Sequence, residues 1–178
     1  MHRKKVFTIL LVVCNLARGT KFASAVEPEG KEVDAICKLA DIDNPGAEFR
    51  VQLWTDREDA TYKVGEEVKL YFKTDKDCYL TLFCVGAGGK VYIIFPNEYH
   101  KDNFVKAGNE YSVLPEGAKF VLKAVKPAGV ELIKGIATLV RVPLLEKEDI
   151  KPAGPVQEVN LPEEQLARSL GITFNPVK

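Results

Sequence analysis

The chain has 178 residues, 25 of them Lys or Arg and 25 Asp or Glu, and 46% of it is hydrophobic. That suffices for one domain with its own core, because a chain of this size buries roughly 70% of its unfolded surface. Beyond a short basic stretch at its start the lysines are scattered, which makes a poor nucleic-acid binder, since neutralising phosphates needs clustered positive charge.

His2-Arg3-Lys4-Lys5 is a basic head, residues 6–13 are apolar except for Thr8, and Ala23-Ser24-Ala25 is a small-x-small step. In this order they read as a secretory leader over residues 1–25, cut after Ala25. The apolar run is far shorter than the roughly 20 residues that span a bilayer, so the chain is not expected to be membrane-spanning. Arg18 and Lys21 sit between the run and the cut. A lipid anchor on Cys14 is the competing reading, weakened by Val13 where a small residue is expected. Removing the leader takes five basic residues and no acidic one, leaving 20 basic against 25 acidic and a net charge of −5. That charge favours solubility.

Residues 26–47 are charged and turn-rich, a leader arm with one short helical turn expected over 33–39. Residues 48–55 alternate, with Phe49, Val51 and Leu53 on one face and Arg50, Gln52 and Trp54 on the other, the period of a half-buried strand. Tyr62-Lys63-Val64-Gly65-Glu66 is a turn in which Gly65 is expected to take a positive φ. Residues 67–74 alternate again, with Val68, Leu70 and Phe72 inward. Residues 78–85 are apolar on both faces, which marks a central strand. Gly86-Ala87-Gly88-Gly89 turns the chain into a second apolar strand, 90–95, giving a hairpin.

Residues 96–109 read as a polar loop, followed by short strands at 110–114 and 119–125. Residues 130–133 and 135–142 read as one bent strand with a bulge at Gly135. Residues 143–159 form a charged, proline-bearing connection. Asn160 and Glu163 make a capping box for a short helix carrying Leu166 and Leu170, with Gly171 as its stop, and residues 172–174 a last edge strand. Strands separated by turns every eight to twelve residues predict a mostly β fold. We expect a two-sheet antiparallel sandwich of immunoglobulin-like architecture over 48–142, with an extension over 143–178 whose short helix packs on it.

The order Tyr62-Lys63-Val64-Gly65-Glu66, Asp77-Cys78-Tyr79-Leu80, Gly89-Lys90-Val91, Phe95-Pro96-Asn97, Asp102-Asn103, Ala107-Gly108, Leu114-Pro115 and Pro127-Ala128-Gly129 resembles the bacterial domain of unknown function 4384. The resemblance covers roughly residues 49–142, and its most specific step is Phe-Pro-Asn after the Gly-Lys-Val strand. It implies a β-sandwich module of bacteria, exported or appended to other domains, and it carries over no catalytic residue. The leader then implies the periplasm or the cell surface.

The densest group of polar and aromatic residues is Asn97, Glu98, Tyr99, His100, Asp102 and Asn103. As a binding loop it presents Tyr99 and His100 from a rigid sheet. As a structural corner its Asn and Asp side chains hold the backbone of a long turn, the reading we favour. Asn97, Glu98, Asp102 and Asn103 are the right donors for calcium, but their spacing fits no calcium loop, and no metal or cofactor is expected.

Cys78 and Cys84 lie six apart in one strand, about 20 Å at the usual rise, too far to bridge each other. Cys37 remains open to pairing with either. Both strand cysteines sit among apolar residues, where a thiol is inert, so a pair with His100 is not expected to be catalytic. Neither is the acidic cluster Asp56, Glu58 and Asp59 around Arg57, which reads as a solvated turn. Ser112 and Ser169 have no histidine nearby in sequence, and no helix follows the glycine turn to make a phosphate cradle. Trp54 and Tyr71 fall on the outward faces of their strands, either as an aromatic platform for a glycan or peptide, or under cover of the C-terminal helix and the leader arm. These features together point to a non-catalytic envelope module that binds an envelope protein or glycan; a structural subunit of an envelope assembly is the alternative, and a hydrolase a remote one.

Overall fold

The computed structural model describes residues 5–15, 49–162, 165–166 and 169–170. Among the described residues eleven strands run in chain order: β1 (Lys5–Asn15), β2 (Val51–Thr55), β3 (Thr61–Lys63), β4 (Leu70–Thr74), β5 (Cys78–Val85), β6 (Val91–Phe95), β7 (Phe104–Val105), β8 (Glu110–Ser112), β9 (Gly129–Thr138), β10 (Ile150–Ala153) and β11 (Val156–Val159). They form an eight-stranded sheet in the order β10-β11-β6-β5-β9-β1-β3, with β7 also on β5, and a three-stranded sheet β2-β4-β8. Every pair is antiparallel except β1 with β3.

The expected alternation sets the packing between the sheets. Val51, Leu70 and Phe72 from the small sheet share one core with Leu80, Leu82, Ile94, Ile133 and Ala137 from the large one. Phe72 lies at its centre, fully buried, with ring centroids 4.8 Å from Phe95 and 5.3 Å from Tyr111. β5 is central, as its two apolar faces require: β9 lines Tyr79–Val85 while β6 and β7 pair its two ends. The opposite residues of the large sheet, Phe83, Val85, Val91, Ile93, Leu132 and Ile136, form a second core. That core is closed by Leu144, Leu145, Leu161, Leu166 and Leu170 from the C-terminal extension.

Several expectations are corrected. Residues 119–125 make no strand; only a bridge between Glu67 and Lys123 forms, and Phe120 is exposed while Leu122 and Ala124 reach the core. Residues 96–109 are not wholly loop, because β7 pairs with the start of β5. β9 is one unbroken strand with Gly135 opposite Leu82; the register shift falls instead in β5 against β6, between Leu82 and Phe83. Residues 143–159 are not a bare connection but a 3-10 turn, Lys147–Asp149, and the β10–β11 hairpin. Gly65 does take its positive φ, 95°.

In the C-terminal stretch the Leu166 amide donates to the Pro162 carbonyl and the Leu170 amide to Leu166. Glu163, Gly171 and residues 172–174 lie outside the described residues, as do residues 16–48 with Cys37 and the cut after Ala25. Residues 5–15, which include the apolar run of the leader, pair as β1 with β9 and β3. No helix among the described residues is long and apolar enough to cross a membrane.

Candidate functional site

The loop after β6 is built around one side chain. Asn97 is buried, and its amide nitrogen donates to the carbonyls of Ile94 and Val113, both at 2.8 Å. Its amide oxygen accepts from the backbone N–H of Tyr99 at 2.9 Å and of His100 at 3.0 Å. All four hydrogen-bonding positions of the amide are thereby used. Asn97 is the corner residue of the loop and joins β6 to the segment after β8; Glu98 and Lys101 beyond it are exposed.

Those residues meet the β10–β11 turn. The Glu98 amide donates to the Pro155 carbonyl at 2.9 Å, tying loop to hairpin. Between them lies a groove of about 380 Å³, walled by Pro96, Asn97, Glu98 and Lys101 on one side and by Pro152, Pro155, Val156 and Gln157 on the other. Gly154 turns the hairpin with φ of 66°, a conformation that a side chain would strain. A Cβ there would also lie 3.6 Å from the Phe120 ring. No aromatic ring lines the groove.

The other loop residues diverge from this groove. The Asp102 carboxylate accepts from the Phe104 amide at 3.2 Å and from Arg141 at 2.6 Å, and the Arg141 guanidinium lies 5.2 Å over the Tyr79 ring. The Asn103 carbonyl accepts from the Leu80 amide. His100 tilts against Phe95 at 5.8 Å, and its Nε2 is buried with no hydrogen-bond partner. The six residues therefore divide: Asn97 and Glu98 line the groove, Asp102 and Asn103 hold neighbouring strands, His100 packs on Phe95, and Tyr99 is half-buried. Among the described residues no group of three or more His, Cys, Asp or Glu is placed to hold a metal ion.

Cys78 and Cys84 are free thiols. Burial pushes Cys78 up to about 11. Burial also raises Cys84, aided by the Glu131 carboxylate, whose Oε2 lies 4.0 Å from the sulfur. Glu131 is itself held above the usual carboxylate range by burial. Neither thiol is activated as a nucleophile, since activation requires a lowered pKa.

The acidic cluster is a solvated turn, with Asp56, Glu58 and Asp59 exposed, and it is held by hydrogen bonds. Asp56 accepts from the Tyr62 hydroxyl at 2.7 Å and from the Lys69 amide at 2.9 Å. Arg57 pairs with Glu66, donates to the Thr61 carbonyl and lies 4.5 Å over the Tyr62 ring. Partial desolvation works against the Asp56 carboxylate, but the Lys69 amide and Tyr62 hydroxyl outweigh it and hold its pKa below the ordinary value. A carboxyl depressed in the folded state contributes stability that is present above its unfolded pKa and is lost as pH falls through the folded one. Asp56→Asn is therefore expected to cost about 1 kcal/mol at pH 7, the difference between a charged and a neutral acceptor. Urea unfolding from about pH 5 downward should show the gap to wild type closing.

Trp54 and Tyr71 pair directly across β2 and β4 with rings 5.9 Å apart and 19° from parallel. Leu166 and Leu170 do not cover them, because both are buried against the far face of the large sheet. The second apolar face of residues 78–85 was the signal for where that extension must go.

Lys101 and the hairpin side of the groove were missed in the sequence. Pro152, Gly154 and Pro155 look like loop punctuation, and an edge strand is where a sheet tolerates proline. Residues 61–140 match the family model described as Domain of unknown function (DUF4384). No curated protein and no solved structure matches the chain at a significant level.

Proposed function

We propose, proceeding from residues 61–140 as a domain of unknown function of the 4384 family, that the protein is an exported, non-catalytic binding or adaptor module of a bacterial cell envelope. Its binding surface is the groove between the 96–101 loop and the β10–β11 turn. The observation that carries this reading is the fixed geometry of the groove. Asn97 locks one wall to the core and the Glu98–Pro155 hydrogen bond locks the other wall to it, so a ligand meets a preformed site and orders little on binding. Proline and valine walls with one carboxylate, one ammonium and two side-chain amides suit a segment of an envelope protein; a glycan site would be expected to offer an aromatic ring.

Two finer structural readings go with this. The sheets form an immunoglobulin-like sandwich, supported by their shared core. The C-terminal extension carries a short helix, supported by the two four-residue hydrogen-bond steps ending at Leu166 and Leu170.

A pull-down from envelope extract tests the groove. Glu98→Ala with Lys101→Ala, and separately Gln157→Ala, are expected to lower recovery of the partner at least about tenfold, equivalent to roughly 1.4 kcal/mol. Tyr99→Ala and Trp54→Ala are expected to leave it unchanged. Groove variants that keep every partner would overturn the assignment.

A further inference from the structure

β9 pairs with β1 over ten residues, from Lys5 opposite Thr138 to Cys14 opposite Gly129. On its other side β9 pairs with β5. β1 also pairs in parallel with β3 through Val13–Thr61, Cys14–Tyr62 and Asn15–Lys63. β1 therefore fills a slot one strand wide, roughly 10 Å across at the usual strand spacing. Yet β1 lies wholly within the segment that the sequence marks as a removable leader.

Taking β1 away would make β9 an edge of a kind that folded proteins avoid. Leu132 and Ile136 belong to one core, and Ile133 and Ala137 to the other, so β9 is apolar on both faces. Natural edges are blunted by proline, bulges, short length or inward-pointing charges. Between Leu132 and Thr138 β9 carries one such device, the buried Lys134; it has no proline, and its pairing with β5 runs without a register shift. A second copy could not dock its own sheet edge here, because β3 closes the far side at the Cys14 end of the slot. What fits is a single free strand, the mode in which an extended peptide completes a sheet.

We propose that β9 is a strand-acceptor site, opened when the leader is removed and then filled by an extended, apolar segment of another envelope chain running antiparallel to it. This rests on the export reading above but not on the groove.

The exported protein, isolated from its own compartment, supplies the test. Intact mass establishes whether residues 1–25 are gone, and amide exchange then reads β9. The probe is a synthetic peptide of residues 5–15 carried on a soluble lysine tag, compared with the same peptide bearing Ile9→Pro and Leu10→Pro. Adjacent prolines remove one ladder donor on each side of the strand. The expected result is fast exchange in the leaderless monomer, slowed at least about tenfold by the probe and not by its proline variant. An exported chain that keeps residues 1–25 overturns both the leader and the acceptor site. A leaderless chain that ignores the probe overturns the acceptor site alone, as does a monomer whose β9 is already protected. A homodimer with protected β9 overturns the foreign source of the strand.

Discussion

Replacing Phe72 by alanine is expected to lower the unfolding free energy by about 3–5 kcal/mol, the range for deleting a buried aromatic ring. Phe72 is fully buried, with its ring tilted against Phe95 and stacked on Tyr111. With Val51 and Leu70 it carries the small sheet into the shared core, so neighbouring side chains on two sheets would have to move together to fill the void. A stability loss of that size is a large fraction of what holds a domain of this length. Phe120→Ala is the matched control: the same atoms are removed, but from a ring that is 38% exposed and outside both cores. It should cost less than about 1 kcal/mol. Urea unfolding of both variants at constant m-value decides the comparison.

Asn97→Ala is expected to act on stability and binding together. The substitution leaves the carbonyls of Ile94 and Val113 without their donor and the amides of Tyr99 and His100 without their acceptor. Buried groups stranded in this way cost about 1–3 kcal/mol each, less what water can recover, so a loss of about 2–4 kcal/mol is the expected outcome. Asn97→Asp should be no better, because it sets a carboxylate oxygen against two carbonyl oxygens. With the corner gone, the Glu98–Pro155 link has no fixed partner wall, and recovery of the groove's ligand should fall even at temperatures where the variant is folded. An Asn97→Ala protein that unfolds like wild type in urea would remove Asn97 from its place as the corner of the site.

Much of the small sheet was legible because its strands β2 and β4 obey period two. Val51 and Leu53 against Gln52, and Leu70 and Phe72 against Tyr71, name their inner faces directly, and the double apolar face of 78–85 names the central strand. The errors share a cause: local pattern was mistaken for pairing, or its lack for absence of pairing. Residues 119–125 alternate but find only one bridge opposite Glu67. Residues 150–159 carry prolines and charges yet pair, because hydrogen bonding to β6 through Gln157 and Glu158 is decided by the sheet edge they meet. Gly135 looked like a bulge; it is an ordinary member of β9 opposite Leu82. The loop after β6 stands out by composition, but its division does not. Nothing in the order of residues says that the first asparagine turns inward while the next residue lines a groove whose other wall is some fifty-five residues away.

The pairing of β5 with β9 also sets a clock. Tyr79 must wait for Thr138 and Val85 for Leu132, so about fifty residues of chain have to be made before the central strand gains its second neighbour. At roughly 5–20 residues per second that is several seconds of synthesis. The β5–β6 hairpin can close on itself within microseconds, and then stands half-finished with an unsatisfied flank. A chain in that condition is poorly suited to folding early.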